Sequence, residues 1–281
     1  LGAGLRARAA PSGQHLSHLH ARGVDYAESR IYQPGDDIRV MDWRVTARTG
    51  KPHTKLFLEE RERDLLLLLD MNGSMQFGTR RRFKSVQALR AAALAAWMTV
   101  AAGDRIGALS FGRAAQWIRP RGGVRGALTL LGELQRLAFS AQDTEQSLSQ
   151  ALRRALRRLH GGSRVLVISD GFSCDDEATS IMRRLADKAD VAVLGIADAL
   201  ESRVPAAPGL AVEHDGKKLR LALDRAAARH AFQNALGRGR RQLDELCQRC
   251  AVRRQWIDTV AEPQSVLCEL LTGALKRRWR R

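Results

Sequence analysis

The chain has 281 residues, and 47 lysines and arginines against 30 aspartates and glutamates give it a formal net charge of +17. A chain of this length can bury a substantial hydrophobic core, and 44% hydrophobic and 27% charged residues are typical of a globular protein. No stretch reaches the ~20 apolar residues of a membrane helix, so we expect no transmembrane segment. The positive charge favours a nucleic acid, an anionic lipid or an acidic protein as partner.

The number of cysteines and the first residues of the chain indicate the cellular compartment. The four cysteines are too few and too unevenly spaced for a disulfide framework. The first residues lack the apolar core of an export signal. We therefore expect a cytoplasmic protein, with peripheral contact to an anionic membrane left open.

The N-terminal quarter predicts a polar arm followed by a β-rich segment. Residues 1–25 are polar and contain several glycines, and we interpret them as a loose arm. Residues 26–62 contain the turn Pro34-Gly35 and a strand pattern, and we expect them to pack on the main domain. We expect ion pairs between three carboxylates and three arginines of this segment: Asp36, Asp37 and Asp42 with Arg39, Arg44 and Arg48.

The central part of the chain alternates between apolar strands and helices. Leu65–Leu69 suits a strand buried on both faces and leads into Asp70, and Arg164–Ser169 leads into Asp170 in the same way. Further elements follow at βαβ spacing, with strands at 105–111 and 190–198 and helices at 82–102, 126–137, 145–159 and 175–188. This alternation predicts an α/β fold for residues 63–200, with a mostly parallel sheet and helices on both faces. Asp143 or Thr144 is the expected N-cap of the third helix.

Residues 201–281 are expected to complete or extend this domain. They predict a hairpin at 209–223, helical structure at 224–250 with a break at Gly237–Gly239, a strand at 256–260 and a final helix from 263 or 264. Cys247 and Cys250 form a single Cys-x-x-Cys pair, which more often marks two ordinary helix cysteines than a zinc or redox site.

Oxygen-bearing side chains follow two of the predicted strands. Parallel strands end at one edge of a sheet, where open α/β folds bind their ligands. Oxygen ligands select a hard cation, so we expect a site for Mg²⁺, or for Mn²⁺ or Ca²⁺. Its expected ligands are Asp70, Asn72, Ser74, Thr144 and Asp170.

This pattern resembles the von Willebrand factor A fold with its metal-ion-dependent adhesion site. That family has Asp-x-Ser-x-Ser after the first strand, a Thr on a loop and an Asp after a later strand. Asn72 departs from the pattern by replacing the first Ser, although an amide oxygen can also bind a hard cation.

A second motif resembles the bacterial family known as "domain of unknown function 58", whose members have a von Willebrand factor A core. The resemblance implies a non-enzymatic adaptor or co-chaperone that works with a MoxR-type AAA+ ATPase on an unknown client protein. The motif consists of Tyr32, Pro34, Gly35, Asp36, Asp37, Arg39, Asp42, Trp43, Arg48, Glu60 and Arg61.

Two other classes of function remain as alternatives. An enzyme is disfavoured because the sequence lacks a Gly-x-Ser-x-Gly nucleophile motif and a Gly-x-x-x-x-Gly-Lys phosphate loop. Nucleic-acid binding through a basic surface is the stronger alternative, with clusters at Arg80–Arg82, Arg238–Arg241 and Lys276–Arg281.

Overall fold

The computed structural model describes residues 25–58, 63–113, 115–139, 145–206, 209–214 and 217–277. The chain divides into two compact units, Leu1–Glu62 and Arg63–Arg281. Each unit is described by itself.

The first unit is built on an antiparallel pair of strands. It contains β1 (Asp25–Ile31), α1 (Trp43–Thr49) and β2 (His53–Leu58), with β1 paired to β2. Asp42 is the N-cap of α1, where its carboxylate accepts the Val45 N–H at 3.1 Å and the Ser29 hydroxyl at 2.6 Å. These hydrogen bonds tie the start of the helix to β1.

The described partners of the carboxylates Asp36, Asp37 and Asp42 are Arg30, Ser29 and backbone N–H groups. Asp36 pairs with the Arg30 guanidinium at 2.7 Å, and Asp37 accepts the backbone N–H of Arg39 at 2.9 Å. Hydrogen bonds to Ser29 and Val45 lower the pKa of Asp42 below its ordinary value. Each of the three carboxylates also accepts a backbone N–H, from Gln33 for Asp36, from Arg39 for Asp37 and from Val45 for Asp42, and so stabilises a turn or a helix start.

The second unit is organised around a six-stranded sheet. Its strand order is β10-β7-β6-β3-β4-β5, and every neighbouring pair is parallel except β4 with β5. The strands are β3 (Asp64–Met71), β4 (Arg105–Gly112), β5 (Trp117–Arg121), β6 (Arg164–Ser169), β7 (Asp190–Ala197) and β10 (Arg253–Asp258).

Helices cover both faces of this sheet. Alternate leucines of β3 point to opposite faces, so Leu65, Leu67 and Leu69 join one core cluster and Leu66 and Leu68 join the other. The main helices are α2 (Lys84–Ala101), α3 (Gly123–Phe139) and α9 (Gln264–Arg277) beside the first cluster, and α4 (Leu148–Leu156), α5 (Ala178–Lys188) and α8 (Arg238–Arg249) beside the second. The α/β class predicted from the sequence is confirmed.

Several predicted element boundaries differ from the structure by a few residues. The helix expected at 145–159 is α4, which begins at Leu148 with Ser147 as its N-cap, so Asp143 and Thr144 do not cap it. The strand expected at 256–260 is β10, which begins at Arg253.

The C-terminal segment adds a strand to the main sheet. After the short helix α6 (Ala199–Ser202), the chain forms the hairpin of β8 (Leu210–His214) and β9 (Lys217–Leu221) and then α7 (Ala226–Leu236). It then returns through α8 to place β10 beside β7. Among the described residues, no helix is long and apolar enough to cross a membrane.

Candidate functional site

Four of the five predicted ligand residues meet at the carboxyl edge of the sheet. Strands β3 and β6 are neighbours and end together, which brings Asp70 and Asp170 close to each other. Asn72 and Ser74 lie on the turn that follows β3, and Ser74 Oγ donates to Asp170 Oδ1 at 3.2 Å. Thr144 lies outside the described residues.

The Asp70 carboxylate is fully buried and surrounded by hydrogen-bond donors. Its Oδ1 accepts the backbone N–H of Asn72 at 3.1 Å and the side-chain amide of Asn72 at 2.8 Å. Its Oδ2 accepts the hydroxyls of Ser169 at 2.7 Å and Ser173 at 2.6 Å. Burial, followed by the charge of Asp170, outweighs these bonds and raises the pKa of Asp70 to about 6.

Asn72 joins the β3 edge to the segment before α4. Its Nδ2 donates to the Gln146 carbonyl at 2.9 Å, and its Oδ1 accepts the Gln146 N–H at 3.0 Å. The side-chain amide thus pairs with the backbone of Gln146 as a neighbouring strand would. This pairing explains why α4 begins later than expected, since the backbone of Gln146 is engaged outside a helix.

A buried lysine that the sequence analysis did not single out lies in the same site. Lys84 is the first residue of α2 and is 1% exposed. Its Nζ donates to Asp170 Oδ2 at 2.6 Å and to Glu201 Oε1 at 2.7 Å. Burial acts to lower the pKa of Lys84, but the two carboxylates outweigh it and raise the pKa above its ordinary value. The ammonium is therefore charged.

Aromatic rings and close backbone packing enclose this lysine. The rings of Phe77 and Phe172 lie 5.5 and 5.2 Å from Lys84 Nζ, within the range of cation–π attraction. Gly171, which follows Asp170, has φ of +86°, and a Cβ there would lie 2.1 Å from the carbonyl oxygen of Gly239. Only glycine allows the turn after β6 to pack this closely on the first turn of α8.

These contacts do not fit the divalent-cation site expected from the sequence. A carboxylate has about four acceptor positions, and the two oxygens of Asp70 already accept four hydrogen bonds. The Asn72 oxygen is engaged with Gln146, and Asp170 Oδ2 binds the Lys84 ammonium group while its Oδ1 accepts from Ser74 and from the Phe172 N–H. In the described part of the chain, no group of three or more His, Cys, Asp or Glu residues is arranged to hold a metal ion.

A second carboxylate holds the neighbouring loop in place. Asp198 follows β7, is fully buried, and accepts the Thr79 N–H at 3.0 Å, the Thr79 hydroxyl, and the Thr259 hydroxyl at 3.0 Å. The loop between β3 and α2 is thereby tied to the ends of β7 and β10. Sequence reasoning placed Asp198 at the end of a strand but assigned it no role.

Sequence comparison shows to which protein family the chain belongs. A family profile described as "Protein of unknown function DUF58" matches residues 28–242. The chain belongs to the DUF58 family. Of the residues in the predicted motif, Asp42 caps α1 and Trp43 and Arg48 lie within it, whereas Glu60 and Arg61 lie outside the described residues.

Relatives of this DUF58 chain occur in mycobacteria and in Bacillus subtilis. The uncharacterized proteins Mb1516 of Mycobacterium bovis and Rv1480 of Mycobacterium tuberculosis are each 32% identical to it over 194 residues, which is 69% of this chain. The chain spans 61% of the length of these two relatives. YeaD of Bacillus subtilis, also uncharacterized, is 39% identical over 66 residues, 24% of this chain and 16% of its own.

Solved structures show which fold the DUF58 chain shares. The conserved hypothetical protein BatB from Bacteroides thetaiotaomicron superposes with a TM-score of 0.54 at 15% identity, covering 76% of this chain and 99% of BatB. An aerotolerance-related membrane protein from Bacteroides fragilis gives a TM-score of 0.53 at 15% identity, with the same coverage of 76% and 99%. The fold is von Willebrand factor A-like, as the sequence motif predicted.

Proposed function

We propose that this DUF58 chain is a non-enzymatic protein-binding adaptor that works with a MoxR-type AAA+ ATPase on a client protein. The family and the fold support a role in protein interaction. The observation that carries the proposal is the rigid polar edge of the sheet, where two buried carboxylate networks fix the loop between β3 and α2. The predicted divalent cation has no part in the proposal, since the contacts do not fit it.

The loop that these networks hold presents a mixed apolar and basic surface, which we call the 80–83 surface (residues 80–83). Phe83 is 50% exposed, and Arg80 and Arg81 beside it are exposed. An exposed aromatic beside arginines is the composition enriched at the centres of protein interfaces. Its positive charge suits an acidic surface on the ATPase, and a surface that is already ordered loses little entropy on binding.

A capture experiment tests this proposal. The tagged chain serves as bait in a nuclease-treated lysate of its source organism, and the retained proteins are identified by mass spectrometry. We expect an AAA+ ATPase of the MoxR type to be enriched. Binding to the purified ATPase is then measured with the double variant Arg81→Glu/Phe83→Ala, which should bind at least about tenfold more weakly.

Trp97→Ala provides the matched control for this surface. Trp97 is 42% exposed on the same helix α2, and its position 13 residues after Lys84 puts it roughly 20 Å along the helix from Lys84. The control should bind as the wild type does. Failure to enrich an AAA+ ATPase would refute the partner, and unchanged affinity of the double variant would refute the 80–83 surface.

A different observation favours nucleic-acid binding as a second candidate. Arg154, Arg157 and Arg158 crowd together on and just after α4, where burial and the two neighbouring charges lower the pKa of Arg154. The Arg158 guanidinium lies 5.2 Å from the ring centre of Trp117. Guanidinium groups beside an aromatic ring are the elements that bind single-stranded nucleic acid.

Salt dependence separates this candidate from the adaptor. Binding to a labelled single-stranded RNA or DNA is measured over a series of salt concentrations with the wild type and with Arg157→Glu/Arg158→Glu. A nucleic-acid-binding protein should lose affinity steeply with salt, and the variant should flatten that slope. Weak binding that is identical in both proteins would exclude this surface.

A further inference from the structure

Lys84 is a built-in cation in the place where the sequence predicts a metal ion. Asp170 was expected to bind a divalent cation, and the group that binds its Oδ2, at 2.6 Å, is the Lys84 ammonium. The side chain is 1% exposed, and a lysine is almost never buried to this degree without a charged partner. The Lys84 side chain therefore belongs to the interior of the site and is not a surface lysine.

Three separate segments of the chain converge on this ammonium. Lys84 begins α2, Asp170 follows β6, and Glu201 lies on α6 after β7. The carboxylates of Asp170 and Glu201 are 0% and 3% exposed in their side chains. Two carboxylates buried this closely require a cation between them, and Lys84 supplies it.

The remaining donors and acceptors leave little for a metal ion to bind. Asp70 accepts four hydrogen bonds from within the chain, and the Asn72 oxygen accepts the Gln146 N–H. Of the described predicted ligands, Ser74 and Asp170 retain acceptor capacity; Asp170 binds a fixed positive charge, and Ser74 donates to Asp170. A divalent cation would have to enter this site against the repulsion of the ammonium.

We propose that the Lys84 ammonium replaces the divalent cation of the adhesion-type site, so that the wild-type chain does not depend on metal. The partner cannot bind this cation directly, since Lys84 is enclosed, and recognition falls to the exposed residues around it. The proposal does not rest on the identity of the partner. It predicts that removal of the lysine exposes a latent metal site, with Asp170 and Glu201 as ligands.

Glu201 strengthens this prediction. Its Oε1 accepts from Lys84, whereas its buried Oε2 has no hydrogen-bond partner among the described residues. In Lys84→Met, Asp170 Oδ2 and both oxygens of Glu201 would therefore face an apolar side chain without a counter-charge. Carboxylate oxygens in this situation favour a hard cation such as Mg²⁺ or Mn²⁺.

The test compares thermal unfolding with and without Mn²⁺ or Mg²⁺. Wild type and the control Lys188→Met, which removes an exposed lysine, should show no metal-dependent shift of Tm. Lys84→Met should unfold at a lower temperature, and added Mn²⁺ should raise its Tm in a saturable way. If Lys84→Met is equally insensitive to metal, the lysine is not what replaces the cation and the proposal fails.

Direct titration of the wild type keeps the test independent of the folding of the variant. Free Mn²⁺ is followed by electron paramagnetic resonance while the wild-type protein is added. The absence of binding supports the proposal. Stoichiometric binding that disappears in Asp70→Ala would overturn it, and would leave the proposed partnership with an ATPase standing.

Discussion

At the scale of single residues, most buried polar groups of the site have hydrogen-bond partners within the chain. Asn72 is the clearest case, because its side-chain amide makes three hydrogen bonds to Asp70 and Gln146. The family motif expected a serine at this position. A serine hydroxyl is too short to reach both partners, so the asparagine fixes the segment before α4 in a way that the serine could not.

We predict that Asn72→Ser lowers the free energy of unfolding by about 1–3 kcal/mol, because it removes the partners of the partly buried Gln146 N–H and carbonyl. Hydrogen exchange should also increase in residues 145–148. The exposed Asn234→Ser in α7 serves as the control and should stay within about 0.5 kcal/mol of the wild type. Equal stability of Asn72→Ser and wild type would show that the amide bridge contributes nothing.

The hydrogen bonds to Asp198 predict a pH dependence. Burial alone would raise the pKa of Asp198, but hydrogen bonds from Thr79, Leu200 and Thr259 lower it below its ordinary value. A lowered pKa in the folded state stabilises the protein above the unfolded value of about 4, and this stabilisation is lost as the pH falls through the folded value.

Thr79→Val removes the hydroxyl donor and should lower the free energy of unfolding by about 1–3 kcal/mol at pH 7. The difference from the wild type should shrink as the pH falls below about 4, where Asp198 takes up a proton. Thr129→Val removes a hydroxyl that donates to the Arg125 carbonyl, so its effect should not change with pH. Urea unfolding at several pH values measures both variants, and a constant deficit in Thr79→Val would contradict the assignment.

At the scale of elements, the packing of α8 on the turn after β6 depends on two glycines. The start of α8 approaches that turn so closely that a Cβ on Gly239 would lie 2.4 Å from Phe172 Cδ2 and 2.7 Å from the Asp170 carbonyl oxygen. The break expected at Gly237–Gly239 thus has a packing reason, since it lets one helix end and the next begin against the site.

We predict that Gly239→Ala destabilises the protein by about 1–3 kcal/mol, because the added methyl group must displace backbone or the Phe172 ring. Gly132→Ala in α3 has no atom within 4 Å of the new Cβ and should leave stability unchanged or raise it by about 0.5–1 kcal/mol. Thermal unfolding of both variants measures the contrast. Equal effects of the two substitutions would refute the close-packing argument.

The helices and strands and their order along the chain could be predicted from the sequence. Contacts between segments that are distant in the sequence could not. The leucine run of β3 and the apolar run of β6 are local signals that fix a buried strand whatever surrounds it. Lys84 and Glu201 meet only after three segments fold together, so no local pattern shows the pair. One local feature did indicate a nearby carboxylate. A lysine in the first turn of a helix, such as Lys84, is unfavourable beside the positive end of the helix dipole unless a carboxylate accompanies it.

At the scale of the whole molecule, the two units differ in what stabilises them. The second unit contains a six-stranded sheet with a hydrophobic core on each face. The first unit is built on a two-stranded sheet, and isolated two-stranded sheets are marginally stable in water.

We therefore predict that a fragment of residues 63–281 folds alone and unfolds cooperatively, whereas a fragment of residues 1–62 does not form a stable fold. Circular dichroism during thermal unfolding checks both fragments, with the whole chain as the reference. A 63–281 fragment that lacks a cooperative transition would show that the second unit needs the first.

The late return of β10 to the sheet has a consequence during protein synthesis. In the finished sheet the edge strand β5 contains Arg119, Pro120 and Arg121, and the other edge strand, β10, contains Arg253 and Arg254, so both borders discourage the addition of a foreign strand. Strand β7 has no such protection, and it stays uncovered until the ribosome has produced the hairpin, two helices and β10. A nascent chain interrupted before Arg253 would present β7 as an apolar border open to aggregation, so the interval between the synthesis of β7 and that of β10 is a period of exposure to misassociation for this domain.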